Sequence, residues 1–448
     1  MERTLHGVRD LKRDLKTLMQ SDQFAGYAYA YPHKLSYRTL EPAVELQTAW
    51  QEEDKSSLYL YVHIPFCEMR CGFCNLFTTV RPGKSFVGET LKSIVRQSGI
   101  VAQQVQPERI SQLAFGGGTP SFLSIEELQY LLSELDLHWP IDWQQENSSF
   151  EVSPATVSRE KLALLEDYKV SRVSMGVQSF DKGDLKNLGR PQANSEVHNA
   201  IELIKQSSIP VFNLDLIYGM QGQTEVSWLN TVQQTLSYRP EEVFLYPLYV
   251  RPLTGLDNTG KSTGSDRRSL FLVAREKLLE AGYQQISMRL FRRPEAQLVS
   301  DYCCQEDGMV GLGPGARSYT QSLHYSSEYA VKQKGVKNII AEFNESSDES
   351  FQLATYGVRL EEGEQKRRYL IKSLLNAEGL NRADYSARFH GPVETDFPQL
   401  AELSDLGMVQ QNPEYIRLNA DGLSWSDVIG PWLYSDTVVE RMNAFELA

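Results

Sequence analysis

Leu58-Tyr-Leu-Tyr-Val-His-Ile-Pro-Phe66 runs without a break into Cys67-Glu-Met-Arg-Cys71-Gly-Phe-Cys74. The first part is an extended, largely apolar run of strand length. The second places three of the chain's five cysteines within eight residues. Glycine, arginine and glutamate between the thiols argue against plain core packing, the role that many free cysteines take. Thiolates are soft ligands suited to zinc, copper(I) or iron–sulfur clusters. Structural zinc takes four protein ligands, often as two separated pairs, so here it would need His63 or a distant cysteine. A [4Fe-4S] cluster usually takes four cysteines; three would leave one iron open to a small molecule.

Working outward, short apolar runs recur at Gln112–Phe115, Ser149–Val152, Val170–Gly176, Val211–Ile217 and Val243–Tyr246. Helical patterns lie between them at Ile125–Leu135, Arg159–Tyr168, Ser195–Gln206 and Trp228–Leu236. That alternation marks βαβ units and a parallel sheet. Six units are too few for a closed eight-stranded barrel, so an open, partial (β/α)6 barrel is expected.

Flanking segments are less regular. Residues 1–55 are polar and tyrosine-rich and read as an extension that wraps the next domain. The polar, glycine-rich stretch Arg251–Arg268 is either an active-site lid or a mobile connection. A helix is expected at Ser269–Ala281, a solvated connection at 344–350, and helices again at Glu364–Leu375 and Phe397–Leu406. The final helix–hairpin pattern suggests a small winged-helix-like domain with a structural role. The expected organisation is thus an extension (1–55), an α/β domain (56–325) and a C-terminal accessory domain (350–448).

With 448 residues, 41% hydrophobic and 23% charged, the composition is that of a multi-domain globular chain. A net charge of −13 argues against non-specific binding to nucleic acid or anionic membrane. No apolar stretch reaches membrane-spanning length, and Met1–Lys16 carries no signal-peptide core. A reducing, cytoplasmic setting is expected, in which cysteines stay available as ligands. Adjacent Cys303 and Cys304 read as local packing.

Ligands of parallel α/β sheets bind at the C-terminal strand ends, and polar motifs fall there in series. Gly116-Gly-Gly-Thr-Pro-Ser121 follows the second strand, Glu151 the third, Gln178 and then Arg190 the fourth, and Asp215 the fifth. Glycines allow close backbone approach, and exposed N–H groups of Gly117 and Gly118 could hold a carboxylate. Arginine's planar fork suits a carboxylate as well, and aspartate suits a diol.

Tyr61-Val-His-Ile-Pro-Phe-Cys67, Phe115-Gly-Gly-Gly-Thr-Pro-Ser121, Glu151-Val-Ser-Pro154, Ser174-Met-Gly-Val-Gln-Ser-Phe180 and Asp215-Leu-Ile-Tyr-Gly219 resemble the HemN/HemW branch of radical S-adenosylmethionine (SAM) proteins. That branch includes oxygen-independent coproporphyrinogen III oxidases, haem chaperones and HemN-like methyltransferases. The resemblance spans roughly Leu58 to Tyr319, and the C-terminal piece is similar to the branch's small accessory domain.

The resemblance implies a partial (β/α)6 radical SAM barrel, with a [4Fe-4S] cluster on Cys67, Cys71 and Cys74 and SAM at its open iron. Tyr61, Phe73, Gly117, Gly118, Thr119, Glu151, Gln178, Arg190, Asp215, Pro247 and Arg317 fall on SAM-contacting positions. In the oxidase these positions are divided between two SAM molecules, so one SAM or two are implied. Tyr61 and Arg190 are the implied catalytic residues, while His63 and Arg70 flank the cluster. The implied partners are a small-molecule substrate and an electron donor such as flavodoxin or ferredoxin.

The implied activity is reductive cleavage of SAM to a 5′-deoxyadenosyl radical that oxidises an organic, tetrapyrrole-like substrate. Methyl transfer and haem chaperoning are the alternatives within the branch. Leu76 stands where the oxidase carries a further cysteine, and Pro247 and Arg317 also depart from it. The expectation is therefore an oxidase-like relative with its own substrate.

Overall fold

The computed structural model describes residues 14–21, 23–24, 26–144, 147–296, 305–410 and 412–446; Cys303 and Cys304 lie outside these. The chain folds into two compact units. The larger comprises Arg38–Lys277 and Arg293–Arg359, the smaller residues up to Tyr37 with Leu278–Arg292 and Leu360–Glu446.

Strands of the larger unit are β1 (Arg38–Glu45), β2 (Leu58–Ile64), β3 (Ile110–Gly117), β4 (Asn147–Val152), β5 (Arg172–Gln178), β6 (Val211–Tyr218), β7 (Glu242–Pro247), β8 (Met309–Leu312), β9 (Arg317–Tyr319), β10 (Leu323–Ser326) and β11 (Leu353–Arg359). From β2 to β7 they pair parallel in chain order. The sheet is open, and all six expected runs are strands, with bounds shifted by a few residues.

Helices α1 (Lys84–Val105), α2 (Ile125–His138), α3 (Arg159–Asp167), α4 (Asn194–Gln206) and α5 (Glu225–Tyr238) connect them. Their starts are written in the sequence. Ser124 and Glu127 form a reciprocal capping box on α2, and the Ser158 and Thr224 hydroxyls cap α3 and α5, each worth about 1 kcal/mol.

The sheet also extends past the six-strand expectation. β8 pairs parallel with β2, Met309 against Tyr59 and Leu312 against Val62. β9, β10, β11 and β1 continue it in antiparallel order. Glycines at 311, 313 and 315 hide β8 from a periodicity reading, yet Gly311 is required: a Cβ there would lie 2.3 Å from the Arg317 carbonyl. After β10 the chain forms helix α6 (Gln333–Glu345) and a short connection before β11.

The smaller unit carries helix α7 (Glu362–Leu374), several shorter helices, and a sheet of Leu380–Asn381, Tyr415–Leu418 and Val409–Gln410. Residues 14–37 group with this unit, whereas Arg38–Glu45 of the same expected extension form edge strand β1 of the larger one. Lys372 Nζ donates to the Tyr29 carbonyl at 2.9 Å, Gly26 N–H donates to Asp427 O at 3.2 Å, and the fully buried Tyr31 hydroxyl donates to Glu364. The tyrosines thus gain burial against α7 and the C-terminal helices. Arg289 donates to both Asp427 oxygens, at 2.7 and 2.8 Å, and its guanidinium lies 3.7 Å from the Tyr27 ring centroid.

Candidate functional site

The lumen of the open barrel is accessible, and strand periodicity explains why. Along β2, Leu58, Leu60 and Val62 are buried while Tyr59 and Tyr61 keep access. Phe150 is buried and Glu151 exposed on β4; Leu214 and Leu216 are buried around half-buried Asp215 on β6. On β7, Val243 and Leu245 are buried while Phe244 and Tyr246 are not. Alternate side chains point to opposite faces, so the apolar set seals the helix side and the polar set faces the solvent-accessible lumen.

Cysteines stand at one rim of that cavity. After β2 the chain forms a two-residue parallel ladder, Phe66–Cys67 against Thr79–Val80, which closes the base of the cysteine loop. Arg81 N–H donates to Cys67 O at 3.0 Å and Thr79 N–H to Pro65 O at 2.8 Å. Cys67 Sγ accepts from the Thr78 hydroxyl at 3.2 Å and lies 3.5 Å from Thr119 Oγ1. Cys71 Sγ accepts from Arg190 Nη1 at 3.0 Å. Burial raises the Cys67 thiol and pushes the Cys74 thiol up to about 12, with the neighbouring cysteines adding to it. Such thiols become thiolates only with a strong cationic partner, the situation of metal ligands.

Among the described residues, no three His, Cys, Asp or Glu side chains converge as a single bound ion requires. His63 is also committed elsewhere. The Phe77 carbonyl only accepts, so His63 Nε2–H donates to it at 2.9 Å and Nδ1 accepts the Tyr61 hydroxyl at 3.1 Å. The zinc alternative with His63 as fourth ligand is therefore corrected: His63 orients Tyr61.

Across the rim lies the glycine turn at the end of β3. Gly117 has φ +112°, and a Cβ there would lie 2.6 Å from the His63 ring. At Gly118 a Cβ would sit 2.5 Å from the Phe66 carbonyl. Glycine is thus needed to bring the cysteine loop against β3. Gly118 N–H donates to Ile64 O at 2.8 Å, Thr119 N–H to Phe66 O at 2.7 Å, and Gly117 N–H to the Glu151 carboxyl. These donors, read from sequence as holding a carboxylate, are occupied within the fold here.

Glu151 on β4 and Asp215 on β6 face the lumen from either side of β5, Glu151 paired with Ser174 and Asp215 with Gly176. Glu151 is open to the cavity yet ringed by protein. Desolvation first, then Asp215, push its carboxyl to about 7, against the pull of Arg172. Asp215 rises to about 6 through desolvation, opposed by the Asn213 amide donating at 2.8 Å and by Arg172. A Cβ on Gly116 would lie 3.0 Å from Glu151 Oε1 and 3.1 Å from the Tyr61 hydroxyl, so those groups meet over that glycine. Burial and Glu151 raise the Tyr61 phenol well above its usual range.

Arg190 anchors the far rim through Cys71, the Gly176 carbonyl (2.6 Å) and Gln192 (2.7 Å). Gln178, buried at the end of β5, holds φ +71° without being glycine, local strain of the kind that gathers at functional sites. Arg317, opening β9, lies close enough to lower the Tyr61 phenol electrostatically. Phe73 packs on Leu188, Ile217, Met220, Leu248 and Leu256. Pro247 closes β7 opposite Tyr218.

Sequence reading missed the lumen floor. Arg172 Nε donates to Glu242 Oε2 at 2.6 Å and its Nη1 donates to Ser174, with Phe244 5.8 Å from the guanidinium. The available signal was the inward period of two: Arg172 and Ser174 on β5, Asn213 and Asp215 on β6, Glu242 on β7.

The segment Arg251–Arg268 is docked. Leu256 N–H donates to Gly72 O at 2.8 Å, while Gly72 N–H donates to Leu188 O at 3.0 Å. Gly264 N–H donates to Gly219 O at 2.8 Å, and Lys261 Nζ to Asn187 O at 2.9 Å. Of lid and mobile connection, the structure shows neither. The segment is a strap that grips the cysteine loop between Cys71 and Phe73.

An accessible cavity with two desolvated acids, an arginine fork and three clustered thiols suits a cationic, carboxylate-bearing ligand beside a thiolate-held cluster. Residues 61–235 match the radical SAM superfamily profile. An oxygen-independent coproporphyrinogen III oxidase of Synechocystis sp. is 26% identical over 419 residues, covering 86% of this chain and 88% of the relative. A heme chaperone HemW of the same organism is 31% identical over 277 residues, covering 59% of this chain and 66% of the relative. The solved structure of coproporphyrinogen III oxidase (HemN) from Escherichia coli aligns with TM-score 0.74 at 22% identity, over 92% of this chain and 97% of that one. That likeness shows a shared fold.

Proposed function

We infer that this chain, which belongs to the radical SAM superfamily in the branch of HemN oxidases and HemW chaperones, is an enzyme that cleaves SAM reductively to oxidise an organic, tetrapyrrole-like substrate. One observation carries the reading: the three thiols, Arg190, Glu151 and Asp215 border one accessible lumen at the C-terminal strand ends. A [4Fe-4S] cluster and SAM, when bound, supply the one-electron chemistry.

The chain's own residues bind and orient. Cys67, Cys71 and Cys74 hold the cluster. Glu151 and Asp215, costly as carboxylates where burial desolvates them, gain a cationic partner in the SAM amino group. Arg190 offers its fork to the SAM carboxylate, and Tyr61, held by His63, borders Glu151. Phe73, Gln178, Pro247 and Arg317 line the remaining wall, and the glycine turn Gly117-Gly118-Thr119 keeps the backbone close. The Arg172–Glu242 pair fixes the floor beneath Asp215.

The oxidase relatives match along most of the chain, which favours an oxidase-type architecture. Leu76, Pro247 and Arg317 favour a substrate other than coproporphyrinogen. The test is anaerobic reconstitution with iron and sulfide, then incubation with SAM and dithionite. 5′-Deoxyadenosine formation, lost in C71A, supports the reading. Homocysteine release would mean methyl transfer, and haem uptake with neither product would mean a chaperone.

A further inference from the structure

Asp215 stands where its ladder neighbours offer it no hydrogen bond. On β5 it pairs with Gly176 and on β7 with Phe244. Cross-strand partners share a face of the sheet, but one of these has no side chain and the other is a hydrocarbon ring. Neither donates to a carboxylate.

The charges around it are mixed. Burial pushes the Asp215 carboxyl up; the Asn213 amide, Arg172 on β5 and Arg190 beyond β5 oppose this, and Glu242 on β7 adds to it. Glu151 on β4 and Asp215 repel each other as well. The two arginines act on Asp215 through space, because their hydrogen bonds go elsewhere. Arg172 donates to Glu242 at 2.6 Å and to Ser174, while Arg190 donates to Cys71, the Gly176 carbonyl and Gln192.

That leaves Asn213, two residues earlier on β6 and therefore on the same face. Its Nδ2 donates to Asp215 Oδ1 at 2.8 Å. A bond to one oxygen fixes the rotation of the carboxylate, and Asp215 stays half-buried on the lumen side.

Strand packing alone does not account for Asn213. It is 1% exposed on a central strand, and asparagine is depleted in strands. Its Oδ1 is buried with no hydrogen-bond partner among the described residues. Its own ladder neighbours, Ser174 and Glu242, are both bound to Arg172. A buried carbonyl without a donor costs stability, a cost that an apolar residue of similar shape avoids. Only the N–H side of the amide is used, and it is used on Asp215.

We propose that Asn213 is a positioning residue of the lumen, which orients Asp215 and holds it as the carboxylate that receives the cationic end of SAM. The inference rests on the function proposed above. Without the amide donor, burial and the two neighbouring acids favour the protonated carboxyl. That form neither attracts a cation nor keeps a fixed rotation.

The test measures SAM affinity of anaerobically reconstituted protein by calorimetric titration from about pH 5.5 to about pH 8.5. The parent, N213L, D215N and N213L/D215N are compared, with iron content assayed in each. In N213L the pH of half-maximal SAM affinity should rise by about one unit, with binding weakened about tenfold at the acid end. At the alkaline end parent and N213L should agree within about threefold, since Asp215 is ionised in both. In the D215N background N213L should change affinity by less than about twofold. The titration of SAM itself is common to all four proteins and drops out. Superimposed profiles for parent and N213L, or a loss of equal size with and without Asp215, overturn the proposal. If N213L holds no iron, N213D, which keeps the shape and replaces the donor by an acid, carries the same comparison. A parent that forms its cluster yet binds no SAM overturns the radical SAM reading itself, a result distinct from SAM binding that ignores Asn213.

Discussion

The Gly72 carbonyl accepts the Leu256 amide at 2.8 Å while its own amide donates to Leu188 O at 3.0 Å. The residue between the second and third cysteines is therefore held from both sides, by the strap and by the turn that leads into Arg190. A Cβ at this position would lie 2.7 Å from Leu188 O and 3.1 Å from Leu256 Cδ2. Backbone oxygen cannot yield as a flexible side chain can, so G72A must displace the loop. We expect destabilisation of about 1–3 kcal/mol, as for overpacking elsewhere, and a fall in iron and sulfide bound per chain. Thermal melts and iron assays check both; full iron with an unchanged melt would show that the grip is incidental.

Glu151 and Asp215 make stability depend on pH in a definite direction. Both carboxyls are raised, from 4.5 to about 7 and from 3.8 to about 6. A raised folded pKa means that the folded state binds the proton more tightly. The contribution is therefore fully present below the unfolded values and is lost as pH rises through 6 and 7. Access to the lumen screens the charge on Glu151, so the effect should stay below about 1 kcal/mol per group. Ligand-free protein should melt lower at pH 8 than at pH 5, and E151Q should flatten that slope. A parent slope that E151Q leaves intact would contradict the assignment.

Arg172 and Glu242 form the floor with side-chain exposures of 19% and 1%. Removing one member leaves a charge without its partner in a nearly closed site. R172M should cost about 3–5 kcal/mol, whereas R172M/E242M should recover much of the loss because both charges leave together. Denaturant melts of the two single variants and the double variant measure the coupling. Additive single effects would mean that the pair stabilises nothing as a pair.

Much of this architecture was legible because it is local. The cysteine loop is contiguous, and each barrel strand announces itself by a short apolar run between helical patterns. What escaped was non-local or locally ambiguous. Arg172 and Glu242 are distant in sequence, and each alone looks like a solvated residue at a strand start. β8 is masked by glycines whose need appears only when the Arg317 carbonyl is seen beside Gly311. The strap reads as loose because polarity and glycine content report exposure of side chains, while its anchors are backbone hydrogen bonds. His63 entered only as one option for a fourth zinc ligand, because its bonds to the Tyr61 phenol and the Phe77 carbonyl leave no mark on the sequence.

Arg190 joins cluster and cofactor positions, so its replacement should separate two readouts. All three guanidinium nitrogens are engaged, with Cys71 Sγ at 3.0 Å, Gly176 O at 2.6 Å and Gln192 Oε1 at 2.7 Å. Lysine keeps the charge but presents one nitrogen, so it cannot span a thiolate and a carbonyl while also meeting a carboxylate. R190K should retain iron, because Cys67, Cys71 and Cys74 remain. It should weaken SAM binding by roughly tenfold or more, the loss expected for a charged bidentate contact. Calorimetric titration of reconstituted protein with SAM, beside an iron assay, tells the cases apart. Loss of iron with SAM affinity unchanged would place Arg190 with the cluster alone and remove it from the SAM site.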